Sequence, residues 1–250
     1  MNSDIVLRNL TVTYERRPAV HHLNGCFAAG SLTAIVGPNG AGKSTLIKAL
    51  VGLMKPAEGQ VQRGRLSTRA IGYLPQAAEI DRSFPLSVAD TVAMGAWAEI
   101  GSLLGLGRRQ VRRTREALAA VGLAGFEDHR IGALSSGQLQ RVLFARLLMQ
   151  DAEVIVLDEP FTAIDARTTQ DLLRLMQYWH QQGRTVIAVL HDLDQVRLHF
   201  PQTLLMARSA IAWGATGTVL SAENLDRARN MAEFWSPEAT ACNSHAGAGR

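Results

Sequence analysis

The segment Gly37-Pro38-Asn39-Gly40-Ala41-Gly42-Lys43-Ser44 places glycines, one lysine and one hydroxyl at a spacing suited to holding phosphate. A glycine, four residues and then Gly-Lys-Ser is the phosphate-loop pattern, whose glycines let successive backbone N–H groups turn inward toward phosphate oxygens. Lys43 is expected to reach the β- and γ-phosphates of ATP. The Ser44 hydroxyl, with Thr45 behind it in the same first turn, is expected to bind Mg²⁺. A second carrier of chemistry is Val154-Ile155-Val156-Leu157-Asp158-Glu159, four apolar residues that end in two acids. Asp158 would hold Mg²⁺ through its waters, and Glu159 would polarise a water in line with the γ-phosphate. Hydrolysis rather than binding alone is the chemistry implied. The plainer readings are a glycine-rich turn without ligand, against which stand the positions in register between strand and helix, and a pair of solvated acids at a strand end, against which stands the phosphate loop.

These groups need elements to aim them. Alternation along 5–14 predicts an edge-type antiparallel strand, and 31–36 predicts a second strand running straight into the glycines. Leu46, Ile47, Leu50 and Leu53 recur at helical spacing over 43–54, with Pro56 and Gly59 ending the element. A short strand at 71–74 precedes a mainly helical stretch, 88–128. Strands at 154–157 and 185–190 alternate with helices at 166–182 and after His191, which argues for a largely parallel sheet covered by helices. Short strands near 203–207 and 210–213 precede a helix at 222–235. The fold class expected is therefore α/β, a phosphate-loop core with an antiparallel N-terminal β portion and a helical subdomain at about 88–150. A single domain over 1–236 would be followed by a flexible tail, 237–250, rich in small and polar residues.

Composition limits the alternatives. At 250 residues the chain can bury a sizeable core, and its two cysteines, Cys26 and Cys242, do not make a disulfide framework. Met1-Asn2-Ser3-Asp4 has no basic and then apolar run, so no secretory signal is expected and residence in the cytosol follows. No window approaches the roughly 18 to 20 apolar residues that span a bilayer, so a membrane role would be peripheral. The net charge of +4 is modest and settles no partner. Its densest contribution, the run of arginines over 108–115, reads either as a solvated helix face or as a surface for an anionic partner.

Leu134-Ser135-Ser136-Gly137-Gln138 narrows the field. It resembles the Leu-Ser-Gly-Gly-Gln signature of ABC ATPases, with Ser136 in place of the first glycine. In that family the segment binds the γ-phosphate held by a second subunit, so the resemblance implies a homodimer sandwiching two ATP molecules through Ser135, Ser136, Gly137 and Gln138. The Ser136 side chain would either obstruct the phosphate or supply a compensating hydrogen bond. Tyr14 matches the aromatic that stacks on adenine, the alternative being a buried strand aromatic. Gln76 matches the glutamine that senses Mg²⁺ and the γ-phosphate, Asp165 the loop that crosses the dimer interface, and His191 the switch histidine at the γ-phosphate. The resemblance covers residues 1 to about 220 and implies the ABC ATPase fold.

It also implies partners. Residues 75–95 and 159–165 are similar to the ATPases of bacterial zinc and manganese importers, with iron-chelate uptake a close relation. A cytoplasmic-face subunit beneath an integral membrane permease, fed by a periplasmic or extracellular metal-binding protein, is the arrangement implied, with residues 77–94 and the helices after them as the permease contact and no nucleic-acid partner. Zinc is favoured, then manganese. Cys242 and His245 offer two ligands where a structural zinc site needs four. A non-transport ABC ATPase would need coiled-coil insertions or a second cassette, and a nucleotide kinase would leave residues 134–138 and His191 without a role.

Overall fold

Two positive backbone dihedrals explain why the first strand alternates imperfectly. In the computed structural model, which describes residues 4–14, 17–100 and 107–234, strand β1 (Ile5–Tyr14) buries Ile5, Leu7, Leu10 and Val12. Its register slips between Leu7 and Leu10, where Asn9 has φ 49° and faces His22 with φ 48° on β2 (Arg17–Phe27). The Asn24 side chain accepts from the Asn9 N–H at 2.8 Å, so the bulge keeps its hydrogen bonds. The remaining strands are β3 (Leu32–Val36), β4 (Glu58–Gln62), β5 (Ile71–Leu74), β6 (Val154–Asp158), β7 (Thr185–Val189), β8 (Gln202–Ala207) and β9 (Ser209–Ala215). The helices are α1 (Lys43–Val51), α2 (Val88–Ala93), α3 (Trp97–Ile100), α4 (Arg108–Ala120), α5 (Ser136–Gln150), α6 (Ala166–Gln181), α7 (Leu193–His199), α8 (Thr216–Val219) and α9 (Ala222–Phe234).

Contacts group the chain into two units, the first formed mainly by Ala28–Leu32 and Arg63–Leu190. Within it β5, β6 and β7 are parallel neighbours in that order. Every residue of β6 and β7 is buried, as continuous apolar runs in a covered parallel sheet require. On α5, Phe144 stacks against Trp179 of α6 with ring centroids 5.7 Å apart. Helices α2 and α4 pack on α5, and the arginine run becomes one side of α4: Arg109 and Arg113 pair with Glu99, and Arg112 with Glu116. Its buried side is Thr114, Ala117 and Leu118.

The short turn Met94–Ala96 touches α5 so closely that a Cβ on Gly95 would collide with the Arg146 carbonyl and the Met149 side chain. Gly95→Ala is therefore expected to cost about 1–3 kcal/mol, as overpacking does, and to lower Tm by roughly 2–4 °C per kcal/mol in calorimetry. An unchanged Tm would show that this turn yields without strain.

The second unit comprises Ile5–Phe27, Thr33–Gln62 and the chain from His191 onward. Its antiparallel strands run β2-β1-β4, so β1 is central and not the edge strand expected from its pattern. One-faced alternation is the same for edge and central strands; the partners were hidden because His21, His22 and Asn24 interrupt β2, and Glu58-Gly59-Gln60 is a weak strand sequence. Strand β3 pairs in parallel with β8, which pairs antiparallel with β9. The Trp213 ring of β9 lies 4.6 Å from that of Phe27. Helix α1 stops earlier than expected, at Gly52 with φ 85° in a left-handed cap, leaving Leu53 exposed. The tail 237–250, with Cys242 and His245, and Trp235 lie outside the described residues.

Candidate active site

Strand β3 delivers the phosphate loop. Its five residues are all buried, and the chain then turns through Gly37–Gly42 into α1. Two glycines are needed for close approach: a Cβ on Gly37 would meet the Met206 carbonyl, and one on Gly42, where φ is 87°, the Ala19 carbonyl. The Arg208 N–H donates to the Ala41 carbonyl at 2.9 Å, and the Leu46 N–H closes the first helical turn on Gly42 at 2.8 Å. Inside this curl the Lys43 ammonium donates to the carbonyls of Gly37 and Pro38, both at 2.9 Å, and the residue is only 6% exposed. Asn39 and Gly40 lie at the exposed lip, and Ser44 and Thr45 are half-buried at the helix start. No acid stands in the first turn of α1 to compete with an anion for its positive dipole end.

In the same unit Tyr14 ends β1 and is 58% exposed, which removes the buried-aromatic reading. His191 is exposed just before Asp192, whose carboxylate caps α7 by accepting from the N–H groups of Asp194 and Gln195.

The first unit holds the acids. Asp158 closes β6, is fully buried, and lies in register with Val189. The next residue, Glu159, has φ 49°, a left-handed conformation that costs a non-glycine residue of order 1 kcal/mol or more and turns its half-buried carboxylate off the strand. The Thr162 hydroxyl lies 3.4 Å from the Glu159 carboxylate. Gln76 is half-buried two residues beyond β5, where it begins a short 3₁₀ turn. Tyr73, which sequence reasoning missed, is held above the ordinary phenol pKa by burial and then by the Asp158 and Glu79 carboxylates.

At the start of α5 the Ser135 hydroxyl accepts from the Gln138 N–H at 3.2 Å, while the Gln138 side-chain oxygen accepts from the Ser135 N–H at 2.9 Å. This is a capping box. Gly137 faces Asp165, whose carboxylate accepts from the Thr168 N–H at 2.9 Å and hydroxyl at 2.7 Å. Those two bonds hold the Asp165 carboxyl below the usual carboxylate range. Ser136 donates to the Ala163 carbonyl, so its hydroxyl makes a bond rather than standing idle. The structure thus brings Ser135–Gln138 together with Asp165, and adds Thr168, which no local pattern marked, and Arg141, three residues beyond Gln138 on the same helix.

A model of the ABC transporter family matches residues 20–162, more than half of the chain. The chain belongs to the ABC transporter family. It is 40% identical over 224 residues to the zinc transport system ATP-binding protein TroB of Treponema pallidum, covering 88% of this chain and 84% of that protein. It is 36% identical over 223 residues to the manganese transport system ATP-binding protein MntB of Listeria monocytogenes, covering 88% and 93%. Among solved structures, a bacterial ABC transporter cassette in a dimeric structure is 26% identical with a TM-score of 0.74, covering 85% of this chain and 98% of that one. The fold is the ABC ATPase fold, and the chain is an ATPase of this family. Among the described residues no helix of this cassette is long and apolar enough to cross a membrane.

Proposed function

We propose that this ABC ATPase energises uptake of a divalent transition metal, zinc before manganese, working as an ATP-dependent homodimer on the cytoplasmic face of the cell membrane beneath a separate permease. The observation that carries the reading is its 36–40% identity to zinc and manganese transport ATP-binding proteins over 88% of the chain. Tyr14 stacks on adenine, Gly37–Thr45 cradle the phosphates, and Lys43 supplies the charge at their centre. Ser44, Asp158 and Gln76 would hold Mg²⁺: a hydroxyl, a carboxylate and a carboxamide are all hard oxygen donors, which suits that ion and not a soft metal. When bound, Mg²⁺ neutralises charge on the phosphate oxygens. Glu159 takes the proton of the attacking water, and His191 contacts the γ-phosphate. Ser135–Gln138 and Asp165 face the ATP held by the second copy.

The permease contact assigned to residues 77–94 is supported by Phe84, 61% exposed, and by Trp97 just beyond it, 60% exposed. Both side chains stand open for a partner's apolar surface to cover, which would remove them from water. An extracytoplasmic metal-binding protein would deliver the cargo to the permease. Deleting the gene is expected to impair growth under chelation, with zinc, or failing that manganese, restoring it and iron not. Rescue by an iron chelate alone would overturn the cargo and leave the ATPase standing.

A further inference from the structure

The loop between β6 and α6 has little regular structure to hold it. It carries two non-glycine residues in left-handed conformations, Glu159 with φ 49° and Ala163 with φ 59°, and its internal Thr162 N–H to Glu159 carbonyl bond is long at 3.4 Å. Such backbone persists only where surrounding contacts determine it. One of those contacts comes from α5: the Ser136 hydroxyl donates to the Ala163 carbonyl at 2.6 Å. A second grip lies one turn further along the same helix. Arg141 donates to the Thr168 hydroxyl at 3.2 Å and to the Asp171 carboxylate at 2.8 Å, and Thr168 in turn binds Asp165. Gly137 sits between the two grips with Asp165 and Thr168 about where a Cβ would touch them, at 3.6 Å. A glycine at position 136 could not make the first grip.

We propose that Ser136 is a positioning residue: it fastens the loop 159–165 to the N-terminus of α5 within one chain, so that Ser135, Gly137 and Asp165 meet the second copy as one preassembled surface. This role rests on the homodimer reading above. The bond exists before association, so its loss removes preorganisation, and the most it can cost is its own net worth in each protomer.

The test uses the full chain with Glu159→Gln, which slows turnover, and measures the ATP-dependent monomer–dimer equilibrium by analytical ultracentrifugation. Ser136→Gly and Ser136→Ala are expected to raise the dimer dissociation constant several-fold, with about 150-fold as the upper bound for two neutral hydrogen bonds. Ser136→Thr, which keeps the hydroxyl, is expected to restore it. In the nucleotide-free chain, amide hydrogen exchange at 160–165 should quicken in the glycine and alanine variants and not in the threonine variant. Equal or tighter dimerisation in Ser136→Gly, or threonine behaving as glycine, would overturn the proposal. A Ser136 parent that never dimerises with ATP would instead remove the homodimer reading and this role with it, while the exchange result separately reports whether the bond orders the loop.

Discussion

Replacing Glu159 with glutamine is expected to leave ATP binding intact while slowing turnover by about 10²–10⁴-fold, the range a positioned general base contributes. Glutamine keeps the size and the hydrogen-bonding oxygen of the side chain but cannot accept the proton that the attacking water must lose. The backbone argues that position and chemistry are linked. A buried apolar strand, β6, ends at the fully buried Asp158, and the chain then adopts a left-handed turn at Glu159 that ordinary packing does not call for. With hydrolysis blocked, ATP and Mg²⁺ should hold the dimer closed, visible as an earlier elution in size-exclusion chromatography. Hydrolysis at the wild-type rate would show that Glu159 is not the base.

Lys43→Ala is expected to act one step earlier, weakening ATP binding by at least about 10-fold and up to about 150-fold, since a charge-assisted bond to phosphate contributes about 1.5–3 kcal/mol. The ammonium already bonds the carbonyls of Gly37 and Pro38 at 2.9 Å. Its removal leaves two inward-facing carbonyls with no cation between them and the phosphates, and repulsion replaces attraction. Calorimetric titration with ATP measures the effect, and circular dichroism checks that the fold survives. Unchanged affinity would sink the assignment of the loop. The two variants fail differently: Glu159→Gln binds and stalls, Lys43→Ala binds weakly.

Local order made most of this readable in advance. The loop Gly37–Ser44 is one contiguous segment between a strand and a helix, and Asp158-Glu159 follows its strand without a gap, so type and spacing were enough to single out these candidate groups. The parallel strands β6 and β7 announced themselves as unbroken apolar runs for the same reason. His191 and Gln76 were likewise placed by the strands they follow.

Tertiary structure decided what depends on partners distant in sequence. Strands β2 and β4 owe their existence to pairing with β1 and not to their own residues, so the period-two pattern was silent about them and misplaced β1 at an edge. Exposure of Tyr14 is a property of where β1 ends in its sheet. The Ser136 hydroxyl finds its acceptor on a carbonyl 27 residues away, and Thr168 bonds Asp165 and Arg141 together. A sequence records which groups are available to hydrogen-bond; only the packed chain determines which of them come within 3 Å of each other, because that distance is set by the whole set of helices and strands packing at once.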